Sequence, residues 1–344
     1  MLPGADILSA ISARHNASPN IRSKALKATW MEFREREKLR GGHMLLYPYA
    51  IKALDLSRYE MVISNCAGFA GNVECRDTAL HICYCHARSH SLWRNSDDSS
   101  APEAKGAVRF LLGPLLAGIR RMELHSSIQP DYYIAKSCVV AQQIQQYYGR
   151  KTFVIHPPID LSQFTSSSSI RDYLLIVSAL LPRKHIDMVI AACNSIKAQL
   201  IIVGDGPDRS RLEALAGPTV HLLGRRPESE ISDIVARSVA VFCPDPEDDF
   251  DSMPLKANAS GRPAISFAAG SAFETIADGV TGVLCCEYSR PAIVDAIERC
   301  TKMAWNVDEL RAYARSFDAS AFRAKFASLL ADICGGDGVT GSTA

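Results

Sequence analysis

Apolar residues in this chain follow two rhythms. Short, nearly continuous apolar runs alternate with longer stretches in which apolar positions return every third or fourth residue. In the second half the runs are Tyr173–Ser178, Gln199–Val203, Val220–Leu223, Val239–Cys243, Ala264–Phe267 and Gly282–Cys285. Between them lie His185–Ile196, Asp208–Leu215, Glu228–Arg237, Pro254–Ser260, Ala272–Asp278 and Pro291–Met303, each with helical periodicity. A run that is apolar throughout, rather than at alternate positions, suits a parallel strand covered on both faces. Strands alternating with helices predict a doubly wound α/β domain over 171–307, with its ligand site at the carboxyl ends of the strands.

The first half repeats the pattern less clearly. It predicts strands over Ala5–Ile11, Glu60–Ser64, Leu80–Cys85, Tyr132–Ala135 and Thr152–Ile155. Helices are predicted over Lys24–Arg36, Tyr47–Leu54, Gly106–Leu124 and Cys138–Tyr148. The run HPPID (His156–Asp160) carries two prolines and is followed by SQFTSSSS, which predicts a linker over 161–170 after a unit spanning 1–160. C-terminal helices are expected over 308–333, and the Gly-rich ending, 334–344, reads as a tail. No internal repeat is found.

Composition narrows the class. The 344 residues are 47% hydrophobic and 22% charged, enough apolar surface for real cores. With 38 Lys+Arg against 37 Asp+Glu, the net charge is +1, which argues against a nucleic-acid binder. The 11 cysteines include no C-x-x-C pair, and several sit inside apolar runs as small buried hydrophobes. The start, MLPGADILSAIS, lacks the charged opening and long apolar core of a secretory leader. Together these predict a reducing, cytoplasmic location. No stretch approaches the roughly 20 apolar residues of a membrane span.

Candidate chemistry gathers where predicted strands end. After Cys243 comes a polar loop, then Pro254 at a first helical position and Gly261 as a stop. The free N–H groups of Asp251, Ser252 and Met253 would form an anion site there; the competing reading is a plain strand–helix turn. In VGDGPDRSRLEAL, Gly204 would let the backbone approach a ligand closely, though the run is not a G-x-G-x-x-G fingerprint. Lys184, at a strand end, can reach a phosphate as a point charge; the competing reading is a solvated surface lysine.

In order along the chain, these pieces resemble the retaining glycosyltransferases of family 4. The likeness is to bacterial mannosyltransferase-type members that build exopolysaccharide or O-antigen on lipid carriers. The matching stretches are LDLSRYEMVISN, HICYCHARSHSLW, YYIAKSCVVAQQIQQYYGRKTFVIHPPID, LLIVSALLPRKHIDMVIAA, LIIVGDGPDRSRLEALAG, VHLLGR, DFDSMPLKANASGRPAIS and SAFETIADGVTGVL. They cover most of 40–330. The resemblance implies a GT-B fold: two Rossmann-like domains facing across a cleft, the first for the acceptor and the second for a nucleotide sugar. It implies that His86 is the active-site histidine, that Lys184 grips the donor diphosphate, and that the 250s turn contacts phosphate and sugar. It also implies no metal or other cofactor. Fixed dipoles and a cation would stabilise the departing diphosphate. For His86 the alternatives are a core histidine, or a metal ligand with His81, Cys83 and Cys85. On a strand those three share one face and His86 points to the other.

Four positions depart from the family's pattern. Its paired glutamates, separated by seven residues, are Asp248 and Lys256 here. Asp248 reaches a sugar only with a shorter arm, and Lys256 has no acceptor for ribose hydroxyls. The family's glycine after the phenylalanine is Asp251, and the arginine that shares the diphosphate with the lysine is Ala179. Asp249-Phe-Asp251 also reads as a D-x-D metal motif, which the surrounding GT-B-like turn makes a coincidence. The family's opening strand is missing before LPGADILSAIS, which predicts either a start further upstream or a poorly soluble product.

The implied partners are a nucleotide sugar and a lipid-linked saccharide acceptor. Arg22–Arg40 is basic, with Leu26, Trp30 and Phe33 on one helical face, and could rest on an anionic inner membrane surface. A surface helix packed on its own domain is the competing reading. For the whole chain, a hexosyltransferase using GDP-mannose stands against a non-catalytic binding paralogue. Ala179, Asp251 and Lys256 favour the second reading; His86 and Lys184 favour the first.

Overall fold

The computed structural model describes residues 4–9, 26–28, 47–67, 73–87, 117–118, 120–167 and 169–335. Two compact units divide them. One holds the residues up to Lys136 with Val140–Val154, the other Ser137–Val139 with Ile155 onward.

In the first unit, β1 (Ile7–Ser9) and β2 (Leu26–Ala28) pair in parallel. Helix α1 (Tyr47–Lys52) precedes β3 (Met61–Ala67), β4 (Leu80–Ala87), β5 (Tyr132–Ala135) and β6 (Thr152–Val154), a parallel sheet in that order. Helix α2 (Cys138–Tyr148) buries Val140 and Ile144 against Cys83, Cys85, Tyr133 and Ala135. Both cysteines are buried, and burial pushes the Cys83 thiol well up, so they act as apolar filling.

One expectation fails here, and a second holds where the structure describes it. The helix over Lys24–Arg36 is overturned where the structure describes it, because Leu26–Ala28 is strand β2; the rest of that segment lies outside the described residues. Parallel pairing with Ile7–Ser9 overrides the helical spacing. Of the helix over Gly106–Leu124, residues 117–118 and 120–124 are helical, the helix runs on to 126, and 106–116 and 119 lie outside the described residues.

The second unit contains β7 (Leu174–Val177), α3 (Ile186–Ile196), β8 (Leu200–Val203), α4 (Arg209–Leu215), β9 (Val220–Gly224) and α5 (Glu228–Arg237). It continues with β10 (Ala240–Cys243), α6 (Met253–Ala259), β11 (Ala264–Phe267), α7 (Ala272–Thr275), β12 (Gly282–Cys285) and α8 (Arg290–Lys302). Helices α9 (Val307–Arg315) and α10 (Ala319–Cys334) close it. The six parallel strands run in the order β12-β11-β10-β7-β8-β9.

Alternation along each strand explains the unbroken apolar runs. Leu174, Ile176, Ile202, Phe242, Ile265 and Phe267 join Val189 and Ile190 of α3 and Ile293 of α8 in one core. Leu175, Val203, Val241 and Cys243 face the opposite side, with Val235 of α5 and Ala257 and Ala259 of α6. Both faces are covered, so neither strand face tolerates polar residues. The order also reverses between β7 and β10, and the helices that follow them pack on opposite faces. Their loops therefore diverge and open a crevice at the carboxyl edge. Chain past His156 is tied into this unit: Ile159 bridges Asp318, and Phe164 is buried in the second core.

One buried polar residue in the first unit sets a pH dependence. His81 is 2% exposed; its Nε2 lies 2.9 Å from Ser64 Oγ, and its N–H donates to Asp131. The register pairs Ser64 with Cys83, so Ser64 and His81 share a face. Burial outweighs the attraction of Asp131 and pushes the imidazole down to about 4 from 6.5. A depressed pKa means that the unfolded chain binds the proton more readily. His81 thus contributes stability above pH 6.5 that is lost as pH falls through about 4. The expected loss is about 3 kcal/mol. In His81→Gln, native-state hydrogen exchange of the β4 amides should lose most of its slope across that window; an unchanged slope would contradict this account.

Candidate functional site

The crevice between β7 and β10 is lined by short connections. After β7 the chain makes a 3₁₀ turn, Pro182–Lys184, then passes His185 with φ 51° into α3. Such left-handed backbone at a non-glycine residue holds the turn in a sparsely populated geometry beside Lys184. The Lys184 ammonium lies 3.2 Å from Asp245 Oδ2, and Arg183 donates to the same carboxylate at 3.0 Å. Asp245 is buried, and its Oδ1 also accepts the N–H of Glu247. One carboxylate therefore anchors both cations across the switch point.

The loop from Cys243 to Ser252 is folded on itself. Asp248 Oδ1 accepts the N–H of Phe250 at 3.0 Å, and Ser271 Oγ donates to the Asp248 carbonyl at 2.9 Å. Ser271 Oγ also accepts the N–H of Asp251 at 3.2 Å. Gly270 has φ 56°, and a Cβ there would meet the Pro246 carbonyl at 2.8 Å, so the chain needs glycine to seat this loop. The Asp251 carboxylate accepts the N–H of Met253 at 2.8 Å and so caps α6. Asp251 keeps some solvent contact but is densely surrounded by protein. Desolvation is the largest cause raising its pKa, to about 6, aided by Asp248. The Met253 N–H, Lys184 and the Cys243 thiol oppose that rise.

Lys256, on the next turn of α6, extends to Glu228 at 2.9 Å and lies over the Phe164 ring at 5.1 Å. Glu274, on α7, accepts from the N–H of Cys138 at 2.8 Å and lies 2.9 Å from His156 Nε2. His156 in turn stacks on Phe250 at 5.4 Å. Burial would raise the Glu274 carboxyl, but the hydrogen bonds from His156 and Cys138 hold it below the usual range.

A second constellation belongs to the first unit. Asn65 and His86, near the ends of β3 and β4, and Lys136, just past β5, lie at the carboxyl edge of one sheet. His86 is hydrogen-bonded through Nε2 to Asn65 Oδ1, with Tyr84 edge-on at 5.1 Å. Burial, then the charge of Lys136, lowers its pKa, which favours the neutral ring.

Residues 171–303 match the family model described as glycosyl transferases group 1. The group 1 segment runs from β7 through α8 and includes the whole crevice. The GDP-mannose-dependent alpha-mannosyltransferase of Mycobacterium tuberculosis is 38% identical over 109 residues, 31% of this chain and 28% of that protein. The D-inositol 3-phosphate glycosyltransferase of Mycolicibacterium smegmatis is 23% identical over 181 residues, 45% of this chain and 42% of that protein. The chain thus spans less than half the length of these curated relatives. Among solved structures, sucrose-phosphate synthase from Thermosynechococcus elongatus has a TM-score of 0.68 at 17% identity, over 90% of this chain and 83% of that one. HepE from Anabaena, in complex with UDP and glucose, has a TM-score of 0.55 at 18% identity, over 73% and 77%. At such identities the likeness shows the fold: two parallel-sheet Rossmann-like units, as in GT-B proteins.

Within the segment that matches the group 1 model, Lys184, Asp248, Asp251, Ser252 and Met253 stand on the connections that follow β7 and β10. The structure corrects the roles of several. Two of the three donors expected at the N-terminus of α6 are already held within the chain: the Met253 N–H by the Asp251 side chain, which reaches back where a glycine could not, and the Asp251 N–H by Ser271. Gly204 serves chain packing: with φ 146°, a Cβ would meet the Ser178 carbonyl at 1.8 Å, so the close approach is to its own backbone. Lys184 is neither solvated nor free, being paired with Asp245. Arg183, Asp245, Ser271 and Glu274 escaped the sequence reading. Asp245 is one of several acidic residues in a polar loop, and only its burial singles it out. Among the described residues, no three His, Cys, Asp or Glu side chains converge as metal ligands.

Asp251 generates a prediction. Its folded-state pKa, about 6, exceeds the 3.8 of an ordinary carboxyl, so its stabilising contribution is complete below pH 4 and is lost as pH rises through 6. This slope opposes that of His81. Asp251→Asn keeps an acceptor for Met253 and removes the charge. It should stabilise the protein by about 3 kcal/mol above pH 7 and by nothing below pH 4. Urea unfolding across that range checks the sign; a variant less stable at pH 7.5 would refute it.

Proposed function

We propose that this chain is a glycosyltransferase that binds a nucleotide sugar at the β7–β10 crevice and transfers the hexose. The observation that carries the reading is the position of Lys184: inside the segment matching the group 1 model, at the topological switch point, with a second cation, Arg183, beside it. Breaking a glycosyl–phosphate bond places charge on the departing diphosphate, and a fixed cation beside it lowers the barrier. The donor must compete with Asp245 for that cation. It must also approach Asp251, whose carboxylate is ionised above pH 6. Donor binding is accordingly weak at neutral pH and strengthens as the pH falls. The match to the mycobacterial GDP-mannose-dependent alpha-mannosyltransferase favours mannose and a guanine nucleotide. On this reading the sugar passes with retention to a lipid-linked saccharide. No described helix is long and apolar enough to cross a membrane.

A second reading has its own support. The same Asp251 cap and the Lys256–Glu228 pair occupy positions where a donor would need open N–H groups and an acceptor. They favour a binding paralogue with little or no turnover. Calorimetry with GDP, UDP and GDP-mannose separates the two readings when combined with a donor-hydrolysis and transfer screen. Lys184→Ala should weaken nucleotide binding by about tenfold or more, the loss of one hydrogen-bonded charge. Lys256→Glu with Ala179→Arg should strengthen it. Unchanged affinity in both variants would place the donor elsewhere; binding without turnover would favour the paralogue.

A further inference from the structure

The hydrogen bond between Asn65 and His86 is not required by the sheet. Parallel pairing matches Asn65 with Tyr84, so Asn65, Tyr84 and His86 project from one face of β3 and β4. The Asn65 amide oxygen faces Nε2, and an oxygen can only accept; Nε2 must therefore carry the ring proton. In a neutral imidazole the other nitrogen, Nδ1, then holds the lone pair. The remaining neighbours favour that neutral state. Tyr84 approaches edge-on at 5.1 Å, and Lys136 adds a positive charge that disfavours a second one on the ring. Asn65 is exposed and His86 half-exposed, so the pair contributes little to folding.

We propose that Asn65 is a positioning residue that fixes His86 in the Nε2–H form and presents Nδ1 as a hydrogen-bond acceptor for a substrate hydroxyl. The occupant is defined by that chemistry: a neutral O–H donor such as a sugar hydroxyl, not a carboxylate or phosphate, which could not donate to Nδ1. This inference rests on the proposed transferase reading for its consequence in catalysis, but the tautomer itself does not.

The test is nitrogen-15 NMR of the full chain, with His86 assigned by comparison with His86→Gln. In the wild type, His86 should show the Nε2–H form and titrate below 6.5. Asn65→Asp keeps an acceptor but adds a negative charge, and should move the titration above 6.5 with the tautomer retained. Asn65→Leu should lose the tautomer preference. Where transfer or donor hydrolysis is measurable, Asn65→Leu should lower turnover about tenfold with the donor KM unmoved, and Asn65→Asp should restore part of it. An Nδ1–H form in the wild type, or a titration that ignores Asn65→Asp, overturns the proposal. If the NMR results hold but His86→Gln leaves turnover intact, the positioning stands and the catalytic reading of His86 falls.

Discussion

Two adjacent parallel strands, β7 and β10, send their following helices to opposite faces of one sheet, and the rest of the second unit is arranged around that divergence. A strand buried on both sides can exchange neighbours only where the winding reverses, and at that point the two loops cannot cover each other. The crevice is a consequence of burying Leu174 and Ile176 on one side and Leu175 and Val241 on the other. Lys184, Asp245 and the 244–252 loop stand there because the strands end there.

What fills the crevice is a balance of charge. Lys184 and Arg183 share the buried Asp245, while Asp251 lies within electrostatic reach of Asp248 and of Lys184. Asp251 answers the backbone donors of α6 from within the chain, and its carboxylate gains little solvation in return. The cost appears as a carboxyl that resists ionising until about pH 6. A fold suited to an anion has therefore acquired an internal anion. On the proposed reading a donor diphosphate must displace those contacts, a matter of competition rather than of shape.

Periodicity located the elements of the second unit closely. Ala264–Phe267 and Gly282–Cys285 are strands over the full runs expected, and Glu228–Arg237 is a helix over the full stretch. Double-sided burial leaves a run so apolar that no other reading competes. The first half was less legible. Leu26–Ala28 has helical spacing with Trp30 and Phe33, yet pairs as a strand, since three residues with a willing partner can be drawn into a ladder against a weak local preference. Short elements carry too little periodic signal to resist tertiary pairing.

By itself the sequence determined the alternation of strand and helix, the doubly wound second unit, and the placement of Lys184, Asp248 and the 250s turn at strand ends. Those follow from local spacing and from where apolar runs stop. Only the tertiary structure decided what these groups touch. That Asp245 holds two cations, that Asp251 caps its own helix, that Gly204 yields to a neighbouring carbonyl and that Asn65 meets His86 all depend on partners distant along the chain or on the turn of a side chain. Residue type fixes what a group can donate or accept; the fold chooses its partner, and with it the charge the site presents.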